Sequence, residues 1–154
     1  MTLLLKTDWR VWLKSSQADW NAGGALIADV AKEFRPSDGK LSMFRVTETV
    51  SKEQVACALE RRRLRDSSSQ EPREVGCALI DEGLLGTWGY EIEESEGRTG
   101  DVDVDKEHID VVHLTFTSLC DLANHLWDVF CDDDAAGVVS VAVPAEEIRR
   151  RLAH

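Results

Sequence analysis

The sequence predicts an α+β fold: a single domain with a mixed or antiparallel sheet and helices packed on it. Three observations lead to this prediction: the length of 154 residues, several short segments of strand-like alternation, and others with the apolar spacing of a helix. Most chains of this length form one domain and cover about 68–70% of their unfolded surface, so the core needs no metal or disulfide. The apolar fraction of 43% and the charged fraction of 31% are typical of a folded globular protein.

Strands are predicted where short apolar or alternating runs are bounded by turn residues. The first covers residues 3–13, although Trp9 and Trp12 at positions i and i+3 also fit a helix. Five further strands are predicted, at 41–46, 75–80, 88–92, 109–116 and 138–143. The segment 109–116 is apolar on both faces, which indicates an interior strand.

Helices are predicted by capping residues and apolar stripes. Ser51 with Gln54 has the form of a capping box, so a helix should begin there and run to about Arg65. Thr117 or Ser118 should begin another, which ends near residue 130. Its expected core stripe consists of Leu119, Leu122, Ala123, Leu126 and Phe130.

Two shorter helices complete the order of elements. One is expected over 26–34, before Pro36, and Pro144 suits the first turn of a closing helix. From residue 41 onward the order strand, helix, strand, optional strand, strand, helix, strand, helix resembles the split βαβ arrangement of ferredoxin-like domains. We therefore assign residues 41–154 to a βαβ(β)βαβα core and residues 1–40 to an N-terminal extension.

The charge is strongly negative and unevenly distributed. The net charge is −11; residues 1–73 hold 13 Lys and Arg against 10 Asp and Glu, whereas residues 74–154 hold 5 against 19. Such a field repels nucleic-acid phosphates and steers the chain towards a basic protein surface. The two arginine runs, at 61–65 and 149–151, complement the dipoles of their predicted helices, so no nucleic-acid partner is expected. Simple solubility is the alternative interpretation of the charge.

Two acidic clusters are the expected contacts for a basic partner: Asp101, Asp103 and Asp105, and Asp132, Asp133 and Asp134. The second cluster follows a predicted helix, where negative charge opposes the helix dipole, so a role outside that helix is expected. A solvated loop is the alternative in both places. The first cluster resembles a calcium loop but has Lys106 at the glycine position and Val112 at the glutamate position, so neither a metal nor a cofactor is predicted.

One pair could carry catalysis. His108 and Asp110 share a face of a predicted strand and could form an acid/base pair. A small metal-assisted enzyme using this pair, with a divalent ion at residues 101–105, is therefore an alternative function. The chain has no phosphate-binding glycine loop, no G-x-S-x-G and no H-E-x-x-H, so the sequence favours a protein that is not an enzyme.

The cysteines and the apolar segments indicate the cellular compartment in which the protein is expected. Cys57, Cys77, Cys120 and Cys131 lack the spacing of a zinc or redox motif, which indicates buried thiols in a reducing compartment. A disulfide or a catalytic thiol is the alternative. The leucines at 3–5 are too few for a signal peptide, and no stretch approaches 18 apolar residues. The expected location is cytoplasmic, with no membrane contact.

The segment FRPSDGKLSM at 34–43 resembles an F-R-P-S…G-x-L-S-V-like segment of small bacterial proteins to which no activity is attached. This resemblance implies a bacterial source and a compact α+β fold. Physically, the segment gathers Arg35 and Lys40 with Ser37, Ser42 and Arg45 around one turn. They could bind a partner's carboxylate or hold a helix and a strand together.

The leading expectation is a non-enzymatic acidic protein-binding module, such as an accessory subunit or an immunity or antitoxin-like inhibitor in a bacterial operon. Its partner-binding residues would be the six aspartates of the two clusters together with Arg35 and Lys40. An oligomeric structural protein is another alternative, in which Trp9, Trp12 and Trp20 bury a subunit interface.

Overall fold

The computed structural model describes residues 1–7, 38–68, 70–131 and 138–153, apart from the side chains of residues 7, 127–131 and 140. The strands within this part of the chain are β1 (Thr2–Thr7), β2 (Leu41–Val46), β3 (Val75–Asp81), β4 (Glu91–Glu94), β5 (His108–Val112) and β6 (Val138–Val143). The helices are α1 (Lys52–Asp66), α2 (Glu82–Thr87), α3 (Val102–Lys106), α4 (Phe116–Cys131) and α5 (Ala145–Leu152).

The six strands form one open sheet in the order β4-β5-β2-β1-β3-β6. Every pairing in this order is antiparallel. The prediction of a single α+β domain with helices packed on a sheet is confirmed. The sheet differs from the split βαβ arrangement, because that arrangement also places two parallel strands side by side.

The strand β1 is central to the sheet although it comes from the N-terminal segment. Its residues pair with β2 on one side, where Leu3 faces Arg45, and with β3 on the other, where Leu3 faces Ile80. Leu4 and Leu5 are buried together with Leu3, so both faces of the strand are covered. The part of the first 40 residues that the structure describes is therefore built into the core.

Helices cover both faces of the sheet and create two hydrophobic clusters. On one face, Leu3, Leu5 and Met43 belong to a cluster that includes the buried residues of α2 and α4: Leu85, Leu119, Leu122, Ala123 and Leu126. On the other face, Leu4 and Phe44 belong to a cluster that includes buried residues of α1, α3 and α5: Val55, Ala56, Ala58, Val104 and Ile148. Alternate residues of one strand thus serve opposite layers.

Most predicted elements agree with the structure. The predicted strand 41–46 and the observed β2 coincide, and α1 begins after Ser51, whose side chain accepts a hydrogen bond from the Gln54 amide at 3.1 Å. Four residues of the predicted core stripe of α4 are buried, while the Phe130 side chain lies outside the described ones. Pro144 precedes the first turn of α5 as its N-cap.

Three segments differ from the prediction. The strand predicted over 88–92 is observed at 91–94, because the short helix α2 occupies residues 82–87. The segment 93–106, where the sequence predicts neither a strand nor a helix, contains the end of β4 and the helix α3. The strand predicted over 109–116 ends at residue 112, since His113 has a φ of 57° and leaves the extended conformation.

Several predictions fall outside the described residues. These are the tryptophan interface, the helix over 26–34, the C-terminal part of the first predicted strand, Arg35, and the second acidic cluster. They stay predictions. None of the helices in the described ranges is both long enough and apolar enough to cross a membrane.

Candidate functional site

The first acidic cluster holds its own loop together. Asp101 is the N-cap of α3 and accepts hydrogen bonds from the amides of Asp103 at 3.1 Å and Val104 at 3.2 Å. Its other oxygen accepts a bond from the Gln54 side chain of α1 at 3.3 Å. These contacts give the Asp101 carboxylate a role within the fold.

Asp105 is engaged more fully. Its carboxylate accepts hydrogen bonds from the Thr99 amide at 2.8 Å, the Thr99 hydroxyl at 2.6 Å and the Gly100 amide at 3.1 Å. Burial alone would raise the pKa of Asp105, but these hydrogen bonds and the nearby His108 lower it below its ordinary value. Asp105 therefore anchors the 97–100 loop as a carboxylate.

This pKa predicts a specific pH dependence of stability. A carboxyl whose pKa is lower in the folded state stabilises the fold above its unfolded pKa of about 3.9, and the contribution is lost as the pH falls through the folded pKa. Asp105→Asn should therefore flatten the decline in the free energy of unfolding below about pH 4, measured by urea denaturation at a series of pH values. Asp103→Asn, an exposed substitution on the same helix, is the control. Parallel curves for the native protein and Asp105→Asn would refute the assignment.

Of the remaining residues predicted to bind a partner, Asp103 and Lys40 are exposed on the surface. Lys40 directly follows a turn in which Asp38 and Gly39 have φ values of 54° and 70°. The backbone carbonyl of Gly39 accepts a bond from the Leu114 amide at 2.9 Å. This hydrogen bond holds the turn before β2, which is the described part of the F-R-P-S-like segment, against the residues that follow β5.

The structure brings His108 and Asp110 together and adds Ser95 to them. The Ser95 hydroxyl donates to Asp110 Oδ2 at 2.8 Å and lies 2.9 Å from His108 Nδ1, and His108 Nε2 lies 3.6 Å from Asp110 Oδ1. His108 is 9% exposed and packs edge-on against Phe44 with ring centroids 5.0 Å apart.

The geometry of this network suits a structural role. His108 Nδ1 also lies 3.1 Å from the Ser95 carbonyl oxygen, which can only accept, so this contact is a hydrogen bond in the tautomer that carries a proton on Nδ1. A protonated Nδ1 cannot accept the Ser95 proton, whereas a hydrolytic serine needs an imidazole nitrogen free to do so. The described residues hold no group of three or more His, Cys, Asp or Glu arranged to bind a metal ion. We therefore infer that the contacts among Ser95, His108 and Asp110 hold β5 against the segment that follows β4.

Glutamates are concentrated on β4, which is an edge strand of the sheet. Glu91, Glu93 and Glu94 make up three of its four residues, and Glu96 follows. Glu94 pairs with Arg45 at 2.7 Å, while Glu91 lies 3.4 Å from His113. Among the described residues, neither Glu93 nor Glu96 forms an ion pair. Charge of this kind also discourages unwanted pairing at a sheet edge.

An open cleft of about 530 Å³ lies beside the start of β4. This volume falls in the range of ligand sites, roughly 300–1,000 Å³. Three parts of the fold line it: the turn before β4, the end of β5 and one face of α4. The lining residues are Trp88, Gly89, Tyr90, Glu91, Val112, His113, Leu114, Ser118, Asp121, Asn124 and His125.

Local capping places the aromatic wall of the cleft. The helix α2 ends in a Schellman motif, in which the Tyr90 amide bonds to the Leu85 carbonyl at 2.9 Å and the Gly89 amide bonds to the Gly86 carbonyl at 3.0 Å. Gly89 has a φ of 89°, a conformation that a side chain would strain. The motif sets Trp88 and Tyr90 on either side of this glycine.

Local capping also orients the opposite wall. Thr115 is the N-cap of α4: its hydroxyl accepts a bond from the Ser118 amide at 3.1 Å, and the Ser118 hydroxyl accepts one from the Thr115 amide at 2.8 Å. The cap lies two residues before Thr117 and three before Ser118, the two predicted positions. Because residues three and four apart share a helix face, Asp121, Asn124 and His125 all reach the cleft.

The two walls meet in a stack of aromatic rings. The rings of Trp88 and His125 lie 4.3 Å apart between centroids and are inclined by only 4°. The Tyr90 hydroxyl donates to the Ser118 carbonyl at 2.9 Å. Burial raises the pKa of Tyr90 to about 12, with a further contribution from the negative charge of Asp121. The stack and the hydroxyl bond fix both aromatic side chains in place.

The described cysteines carry free thiols. Cys57 and Cys77 are buried and Cys120 is half-buried. Burial raises the pKa of all three, that of Cys77 to about 12. Such thiols are poor nucleophiles, which agrees with their interpretation as small core residues. The Cys131 side chain is outside the described ones.

Comparisons with known proteins add no relative: no family model, no curated protein and no solved structure matches the chain. Its class is defined by its fold, an α+β domain whose single antiparallel sheet lies between two layers of helices.

Sequence reasoning missed the cleft. The core stripe predicted for α4 does not include His125, whereas its ring packs on Trp88. One sequence feature could have indicated the aromatic wall of the cleft: Gly89 follows the short apolar run of α2, and a glycine in that place typically ends a helix. Nothing in the spacing alone could bring residues 88–91 next to residues 121–125, because this contact depends on how β4 and α4 pack in three dimensions.

Proposed function

We propose that this chain is a non-enzymatic protein-binding module whose acidic surface docks a basic protein. An accessory subunit or an immunity or antitoxin-like inhibitor would act in this way, by occluding or positioning its partner. The observation that carries the proposal is the row of glutamates on the edge strand β4 beside an open cleft. Electrostatic docking of this kind governs the rate of association and its sensitivity to salt.

The proposed contact surface consists of Glu91, Glu93, Glu94 and Glu96 together with Asp121, and we name it the β4 surface. It replaces Asp101 and Asp105 as the main contact, because their oxygens are occupied by intramolecular hydrogen bonds. Glu93 and Glu96 project from the edge as exposed side chains. A partner can therefore reach them without disturbing the fold.

An exposed aromatic residue next to the cleft favours a protein partner over a free small molecule. Phe116 is 56% exposed and lies in sequence between Leu114 and Ser118, which both line the cleft. Protein interfaces combine an apolar contact of this type with a charged rim. The apolar contact supplies affinity and the carboxylates supply selectivity for basic surfaces.

The proposal predicts a partner that depends on the β4 surface. The native protein, immobilised, should retain one basic protein from its source cells, and the purified partner should bind more weakly as salt is raised. The triple variant E91K/E93K/E94K should lose this binding by 100-fold or more, on the order of 3 kcal/mol, in isothermal titration calorimetry. The matched control reverses three exposed glutamates elsewhere, in E48K/E74K/E146K. Equal losses in the two variants would mean that only net charge matters and would contradict the proposal.

A further inference from the structure

The cleft offers two kinds of group that attract a cation. Glu91 and Asp121 contribute carboxylates, while Trp88 and Tyr90 contribute aromatic rings. Among the described residues that line the cleft there is no lysine or arginine, although the imidazole of His113 lies 3.4 Å from the carboxylate of Glu91. Cations bind on aromatic faces as well as beside carboxylates, most strongly on tryptophan.

The groups are fixed before any ligand arrives. Trp88 is held by its stack on His125, and Tyr90 is held by its hydroxyl bond to the Ser118 carbonyl. His113, on the third side, keeps a φ of 57°, a left-handed conformation that costs free energy in a residue other than glycine. The cleft therefore needs little rearrangement to accept a ligand, which favours affinity.

The field inside the cleft is negative where it meets the aromatic wall. The carboxylate of Asp121 acts on the phenol of Tyr90 and helps to raise its pKa. Asp121 and Tyr90 both line the cleft. A positive group that enters beside Tyr90 would meet the exposed carboxylate of Asp121.

We infer that the cleft binds the guanidinium group of an arginine side chain. This inference rests on the proposed docking of a basic protein and names the side chain that anchors it. A guanidinium is planar, stacks on aromatic rings and offers paired N–H donors to a carboxylate. A lysine ammonium is a more strongly hydrated point charge and stacks less well. Arginine is also among the residues that most often dominate interface affinity.

The test uses three capped tripeptides, acetyl-Gly-X-Gly-amide, in which X is arginine, lysine or citrulline. Citrulline has nearly the shape of arginine but carries no charge. Binding is followed by NMR on the isotope-labelled full chain, through the indole signal of Trp88, which the Trp88→Phe spectrum identifies. We expect saturable shifts with arginine at about millimolar affinity, binding several-fold weaker with lysine, and none with citrulline.

Variants locate the binding within the cleft. Asp121→Asn and Glu91→Gln should each weaken the arginine peptide about tenfold, because each removes a charged acceptor. Glu48→Gln, an exposed change beyond the far end of β2, should have no effect. Equal binding of arginine and citrulline, unchanged affinity in Asp121→Asn, or tighter binding of lysine would overturn the inference.

The two proposals fail in different ways. If reversing the β4 glutamates abolishes partner binding while Asp121→Asn and the tripeptides show no effect, the cleft inference is wrong and the docking function stands. If the arginine peptide binds as expected but no partner depends on the β4 surface, the proposed function is wrong.

Discussion

Replacing Arg63 by methionine should lower the free energy of unfolding by about 3 kcal/mol, one of the largest effects of any single substitution in α1. The carboxylate of Glu60 is the reason, because the residue is only 1% exposed. Arg63 Nε donates to Glu60 at 2.8 Å, a second bond runs from the Arg63 Nη2, and the Arg73 amide donates to the same oxygen at 2.9 Å. Without Arg63 the buried charge keeps a single backbone donor.

The measurement is urea denaturation at neutral pH, followed by circular dichroism. Arg62→Met is the matched control on the same helix, because Arg62 is half exposed and its nearest acidic oxygen, on Asp66, lies 3.9 Å away. Its loss should stay below about 1 kcal/mol. Similar losses for the two arginines would show that the Glu60 pair contributes no more than a surface contact.

A double-mutant cycle separates pairing from packing. Glu60→Met alone removes the buried charge but leaves Arg63 without its partner, whereas Glu60→Met together with Arg63→Met removes both charges. The double variant should be more stable than the sum of the two single losses predicts, by about 0.5–3 kcal/mol. Additive losses would mean that the two side chains act independently.

Local signals in the sequence identified most of the elements. The N-cap at Ser51 works through a bond within four residues, so it is visible in the sequence and is found in α1, whereas the Gln54 side chain bonds to Asp101 rather than completing a capping box. The short helix α2 was not predicted, because its own sequence only weakly favours a helix. The α2 sequence has two glycines in six residues, which disfavours a helix. Its start depends on the Asp81 side chain, which accepts a bond from the Gly83 amide at 3.0 Å, and its burial depends on Leu85.

The acidic spacing at 101, 103 and 105 could be interpreted in two ways from sequence. Alternating aspartates fit a ligand loop or a partner contact, yet aspartate is also a preferred N-cap residue. The structure shows Asp101 in that second role and Asp105 as the acceptor for the 97–100 loop. Choosing between these interpretations requires knowing that Gln54 of α1 lies within reach of Asp101, a contact between residues far apart in the chain.

The end of β5 also depends on a contact between residues far apart in the chain, which the sequence alone does not reveal. Apolar residues continue to Leu114, so periodicity extends the strand beyond its true end. The chain leaves the strand at His113, because the Leu114 amide donates a hydrogen bond to the carbonyl of Gly39 in the turn before β2. A Cβ at Gly39 would lie 3.0 Å from the Leu114 oxygen, so the close approach also explains the glycine. This departure from the strand gives the cleft its third side.

The central position of β1 leads to the second large expected effect. Leu4→Ala and Leu5→Ala should each lower the free energy of unfolding by about 3–5 kcal/mol, because each removes a fully buried side chain and leaves a cavity. Neighbouring residues of one strand point to opposite faces, and here helices cover both faces. In a strand with one solvated face, only one of two neighbours would be sensitive.

The matched control is Lys6→Ala, an exposed change in the same strand, with an expected loss below about 1 kcal/mol. Denaturation curves of the three variants, recorded under identical conditions, test the architecture as well as the individual side chains. Loss of stability in only one of the two leucine variants would mean that one face of β1 is not packed. Large losses in both would establish that the first seven residues belong to the core on which the β4 surface and the cleft are built.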